Sequence, residues 1–92
     1  MIVRISGEDQ YELPDEAAAK LNELEQEVIA IVDAGQENRF AGSYEKLLDY
    51  VREEGSLVGD DELEGSDVIL PPADITFAEA GTEFTGEGII PE

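Results

Sequence analysis

Five carboxylates crowd one short stretch of the chain: Asp60, Asp61, Glu62, Glu64 and Asp67. Hard cations such as calcium need several oxygen donors at close range, and no other run resembles a ligand set. An EF-hand loop starting at Asp60 puts Gly65 at the turn position. The required terminal glutamate, however, falls on Pro71, and no helical pattern flanks the loop on both sides. The spacing therefore predicts a solvated acidic loop and no metal site, with Asp60, Asp61, Glu62 and Glu64 as the weak candidate ligands.

Other chemistry has little to draw on. The 92 residues contain no Cys and no His, which removes thiolate nucleophiles, disulfides, imidazole bases and the usual zinc ligands together. Ser6 and Ser43 stand beside glycines, but no base accompanies them and neither lies in a nucleophile elbow. Gly81, Gly86 and Gly88 do not follow a strand and open a helix, as a phosphate cradle requires. The expectation is a protein without catalytic residues and without a cofactor.

Charge narrows the partners. Twenty-four acidic against five basic residues give a net charge of −19, which repels nucleic acid phosphate and anionic lipid headgroups. A protein partner is expected, with no nucleic acid and no direct membrane insertion. Residues 56–92 carry no cation at all, as a solvated surface does. Such acidity also fits adaptation to high intracellular salt, where dense carboxylates keep a protein hydrated and their repulsion is screened. No run approaches the length of a membrane span, and MIVRISGEDQ lacks the apolar region of a signal peptide, so the chain reads as cytoplasmic.

The elements follow from periodicity. Ile2, Val3 and Ile5 form a β-prone run, Gly7-Glu8-Asp9 a turn, and Tyr11 and Leu13 alternate with Gln10 and Glu12 in a second strand. Pro14, Asp15 and Glu16 suit a helix start. Ala17, Leu21, Leu24, Val28 and Ile31 then recur at spacings of four and three until Gly35. Phe40, Tyr44, Leu47 and Val51, with Leu48 beside them, repeat the pattern up to Gly55. The short link between the stripes predicts an antiparallel helical hairpin whose apolar faces meet.

Residues 56–67 read as an acidic loop without a stable element. Val68-Ile69-Leu70 before Pro71-Pro72 reads as an edge strand or an extended packing strip. Asp74 or Thr76 caps a short helix through Ala80, beyond which the glycines make continuation improbable. Residues 81–92 read as a flexible tail whose Ile89 and Ile90 can clip onto the fold. The expected class is α+β, one small domain over residues 1–92. A short N-terminal β-hairpin, joined or not by a third strand at 68–70, packs on a two-helix hairpin, followed by a short C-terminal helix or irregular segment.

Arg52 lies in the last turn of the second helix, where the dipole favours a cation, and local pairs of Glu45 or Asp49 with Arg52 or Lys46 are expected along that helix. Ile29 and Val32 widen the first apolar stripe beyond a narrow seam. Either the C-terminal segment covers them or they belong to a docking surface with Tyr50, rimmed by Glu53 and Glu54.

Taken in order, MIVRISGEDQYELPDE, LNELEQEVIAIVDAG, LLDYVREEG, SDVILPPADIT and the terminal GIIPE resemble the PspA-associated family, PspAA. The departure lies at FAEAGTEFTGE, where the family pattern is more helical. The resemblance implies a small, non-enzymatic partner or regulator of PspA, the membrane-remodelling coiled-coil protein of the envelope stress response. It supplies no catalytic residues to carry over. Two other readings remain open: a homodimer or larger self-assembly built through the helical stripes, and a cation binder using the 60–67 loop.

Overall fold

The computed structural model describes residues 1–58 and 68–84. Among them the order is β1 (Ile2–Ile5), β2 (Gln10–Glu12), α1 (Ala17–Asp33), α2 (Glu37–Glu54), β3 (Ser56–Val58), β4 (Val68–Leu70) and α3 (Phe77–Glu83). The four strands form one mixed sheet in the order β3-β2-β1-β4. The α+β architecture with a β-hairpin on a helical hairpin is the one that the periodicities predict.

The β1–β2 turn closes through the Glu8 N–H donating to the Ile5 carbonyl at 2.8 Å. Gly7 adopts φ +80° there, a conformation that a side chain disfavours. β1 and β2 pair antiparallel, with Val3 opposite Tyr11. Val3 and Ile5 face the core while Arg4, between them, is exposed.

α1 and α2 pack along their length. Every residue of the two predicted stripes is buried. A Schellman arrangement ends α1: Gly35 has φ +69°, and the Gln36 and Gly35 N–H groups donate to the Ile31 and Val32 carbonyls at 3.0 and 3.1 Å. Three residues join the helices, and α2 returns along α1 as an αα-hairpin.

One open alternative is settled and two sequence expectations change. Val68–Leu70 is a strand, paired parallel to β1 at the edge of the sheet, with Ile5 opposite Leu70; Pro71 and Pro72 end it, as their missing N–H groups require. The acidic stretch opens with a strand, since Ser56–Val58 pairs antiparallel with β2. At Gly55 the backbone turns from helix to extended (φ −86°, ψ 154°), and the missing Cβ admits the close approach of the Val51 carbonyl and Tyr11. Residues 59–67, including Asp60, Asp61, Glu62, Glu64 and Asp67, lie outside the described residues. The third helix continues through Gly81 to Glu83, so the tail does not begin at 81. A capping box between Thr76 and Glu79 starts this helix, and fully buried Phe84 anchors its end. Packing of Phe84 outweighs the weak helix propensity of Gly81 and Thr82. Ile89 and Ile90 lie outside the described residues.

All three Phe side chains join Tyr44 in one aromatic cluster. Phe40 stacks on the Tyr44 ring with centroids 5.6 Å apart and planes at 11°. Phe84 meets Tyr44 edge-on at 5.4 Å and Phe77 meets Phe40 edge-on at 5.9 Å. Such offset and edge contacts add to area burial, and they dock α3 and its flanks on the hairpin.

Candidate functional site

The loop between α1 and α2 sets the geometry of any surface on the hairpin. In an antiparallel pair, residues equally far from the loop face each other. Tyr50, late in α2, therefore lies beside Lys20 and Leu24, early in α1, and the three line one groove. Gly42, Glu45, Lys46, Asp49 and Glu53 complete it, enclosing about 390 Å³ open to solvent.

This placement divides the surface expected from sequence. Tyr50 and Glu53 share the groove, and Glu54 is close enough to act on Tyr50 electrostatically. Ile29 is instead buried in the core, with 6% of its surface accessible. Val32 is half-buried against the same core. It sits near the α1–α2 loop, whereas Tyr50 sits near the other end of the hairpin, roughly 18 Å further along at 1.5 Å per residue. Periodicity correctly marks Ile29 and Val32 as a second apolar side of α1. The short loop removes them from Tyr50, and α3 packs on α1. The groove residues that sequence reasoning missed are Lys20, Leu24, Gly42, Glu45, Lys46 and Asp49. A legible signal existed, since Glu45, Asp49 and Glu53 recur every four residues on one face of α2.

Electrostatics distinguish the groove from its surroundings. The Lys46 Nζ lies 3.8 Å from Glu27 of α1, and the Lys20 Nζ lies 3.9 Å from Glu23. Asp49 receives the Arg52 Nη1 at 3.0 Å. Glu45 and Glu53 make no ion pair among the described residues. Partial burial, then Glu54, pushes the Tyr50 phenol above its ordinary range, so it is neutral at physiological pH.

A second recess opens across the α2 ridge, between Phe40, Tyr44 and Leu48 on one side and Ala73 and Ile75 on the other. The Tyr44 hydroxyl that could serve there is committed, donating to the Pro71 carbonyl. Burial holds its phenol well above the ordinary range, helped by the negative charges of Glu8, Glu83 and Glu25. Glu25 itself is fully buried on α1, an acid that the apolar periodicity does not flag. Arg52 closes one end of the recess and is held by Glu8 through Nε and Nη2 at 3.2 and 2.7 Å. Its expected partner Asp49 is thus joined by one from the β1–β2 turn, and these hydrogen bonds raise its pKa further.

Among the described residues no group of three or more Asp or Glu side chains is arranged to hold a metal ion. No helix among them is long and apolar enough to cross a membrane. What the arrangement offers is a shallow amphipathic groove with an aromatic side chain between carboxylates, a geometry suited to contact with another polypeptide.

No curated protein and no solved structure matches the chain. The family model for PspAA, PspA-Associated protein, matches residues 1–92. With that match spanning its whole length, the chain belongs to the PspA-associated protein family.

Proposed function

We propose that this protein is a non-enzymatic interaction module, a cytoplasmic partner or regulator of a PspA-like coiled-coil protein in the membrane stress response. The observation that carries this reading is the family match over residues 1–92. The groove at Tyr50 supports it physically, because tyrosine is among the side chains enriched as anchors at protein interfaces. Tyr50, Glu53 and Glu54 are the contact residues of this proposal.

Affinity capture with the tagged protein from cells of its own source, at native ionic strength, tests the reading. Wild type retains a PspA-like protein, and a Tyr50→Glu variant with unchanged circular dichroism loses it. Wild type that retains none, under conditions where the PspA-like protein is detectable in the lysate, sinks the assignment.

Self-association is the competing reading. The helical stripes are consumed inside the monomer's own hairpin, so they no longer favour it. Two exposed apolar residues on the outer strands do: Leu57 on β3 is 65% exposed and Ile69 on β4 is 56% exposed, and open strand edges can pair with a second chain. Sedimentation equilibrium separates the two, a monomer supporting the partner reading. Cation binding through Asp60, Asp61, Glu62 and Glu64 is checked by calcium titration followed by amide NMR shifts.

A further inference from the structure

The chemistry of the partner segment can be read from the α1–α2 groove. Glu45, Asp49 and Glu53 stand four residues apart on α2, a straight row about 12 Å long. Like charges at this spacing destabilise a helix, and only Asp49 has its charge answered, by Arg52. The groove's two lysines do not answer the other two: Lys20 turns to Glu23 and Lys46 to Glu27. The groove thus presents uncompensated negative charge along one wall and Leu24, Gly42 and Tyr50 beside it. A Cβ at Gly42 would meet open space, so this wall is low and lets a neighbouring helix approach.

We propose that the groove receives a basic amphipathic α-helix of the partner. Lys or Arg side chains at every fourth position meet Glu45, Asp49 and Glu53, and the adjoining apolar side chains rest on Gly42 and Tyr50. The inference rests on the interaction-module reading above. Charge selects this occupant over others: a second copy of a chain carrying −19 is repelled, as are nucleic acid and anionic membrane. A cationic helix is instead steered toward the site, and the apolar wall fixes its orientation.

The test is a titration of the full chain, followed by amide NMR shifts, with a synthetic helical peptide of about 18 residues, or about 27 Å. It carries Lys at every fourth position beside a Leu stripe, and the control peptide has Glu for Lys. The expected result is saturable shifts confined to residues 20–24 and 42–53, with no binding of the control. Glu45→Lys/Glu53→Lys weakens binding about tenfold or more, while Glu12→Lys/Asp33→Lys, the same change in net charge away from the groove, weakens it far less. Should the first variant fail to fold, Glu45→Gln/Glu53→Gln serves in its place. Shifts spread over acidic positions without saturation, saturation elsewhere, or equal losses in the two charge variants overturn the proposal. Capture of the PspA-like protein undiminished by Glu45→Lys/Glu53→Lys overturns the groove and leaves the family reading standing. Peptide seated in the groove without capture of any PspA-like protein upholds the groove and sinks that reading.

Discussion

Arg52 grips both carboxylate oxygens of Glu8, joining the last turn of α2 to the β1–β2 turn across 44 residues of sequence, while its Nη1 bonds Asp49 one turn back. In a chain with five cations, this one is shared by two elements. Arg52 and Glu8 are about a third exposed, so water weakens the pair, whereas bidentate geometry strengthens it. Arg52→Ala should cost about 1 kcal/mol in urea unfolding. A double-mutant cycle with Glu8→Ala should return a coupling of about 0.5–1 kcal/mol that shrinks in molar salt.

Gly55 has no space for a side chain. A Cβ there would lie 2.6 Å from the Val51 carbonyl oxygen and 2.7 Å from the Tyr11 Cβ. Gly55→Ala should therefore separate α2 from β2 and destabilise the fold by about 1–3 kcal/mol. Gly81→Ala is the contrasting change: its Cβ meets nothing within 4 Å and it lies inside α3. It should stabilise by about 0.4–1 kcal/mol. Thermal unfolding of both variants checks the pair.

Tyr44 makes the fold sensitive to alkali. Burial, reinforced by Glu8, Glu83 and Glu25, raises its phenol pKa in the folded state. The unfolded chain's phenol ionises near its ordinary value of about 10. Below that value both states hold the proton and the contribution is fully present. Above it the unfolded state loses protons first, so stability falls as pH rises. Urea midpoints should drop more steeply from about pH 9 to 11 in wild type than in Tyr44→Phe. At neutral pH, Tyr44→Phe should cost about 1–2 kcal/mol, because the Pro71 carbonyl loses its donor.

Ser43 is the opposite case, a polar group whose removal helps. Its Oγ is buried in α2 without a hydrogen-bond partner. Ser43→Ala removes an unsatisfied hydroxyl and installs a better helix former, which should stabilise by about 0.5–1 kcal/mol. A raised midpoint in urea with an unchanged slope is the expected reading.

The charge of −19 also opposes the compact state. Moving from low to molar salt should raise the unfolding temperature by several degrees, and more than it does for a protein of near-zero net charge of the same size. A flat response would remove the salt-adaptation reading.

Local pattern was enough for the helices and their pairing, because the stripes at Ala17–Ile31 and Phe40–Val51 are periodic over several turns and glycines stop both. The β1–β2 hairpin was equally legible from alternation and its Gly7 turn. Two features were not. Ser56–Val58 becomes a strand only because β2 lies alongside it, and α3 persists through Gly81 only because Phe84 has a ring of Tyr44 to pack on. The strand Ser56–Val58 and the last turn of α3 carry too little intrinsic preference to announce themselves. The candidate surface divides in the same way. Apolarity along the chain could mark Ile29, Val32 and Tyr50 as unusual, but whether they meet depends on distance from the α1–α2 loop. That loop buries Ile29, sends Val32 to one end, and sets Tyr50 with Glu53 beside Lys20 and Leu24 at the other. Periodicity determines which face a residue takes on its own helix, and only packing between helices determines what stands across from it.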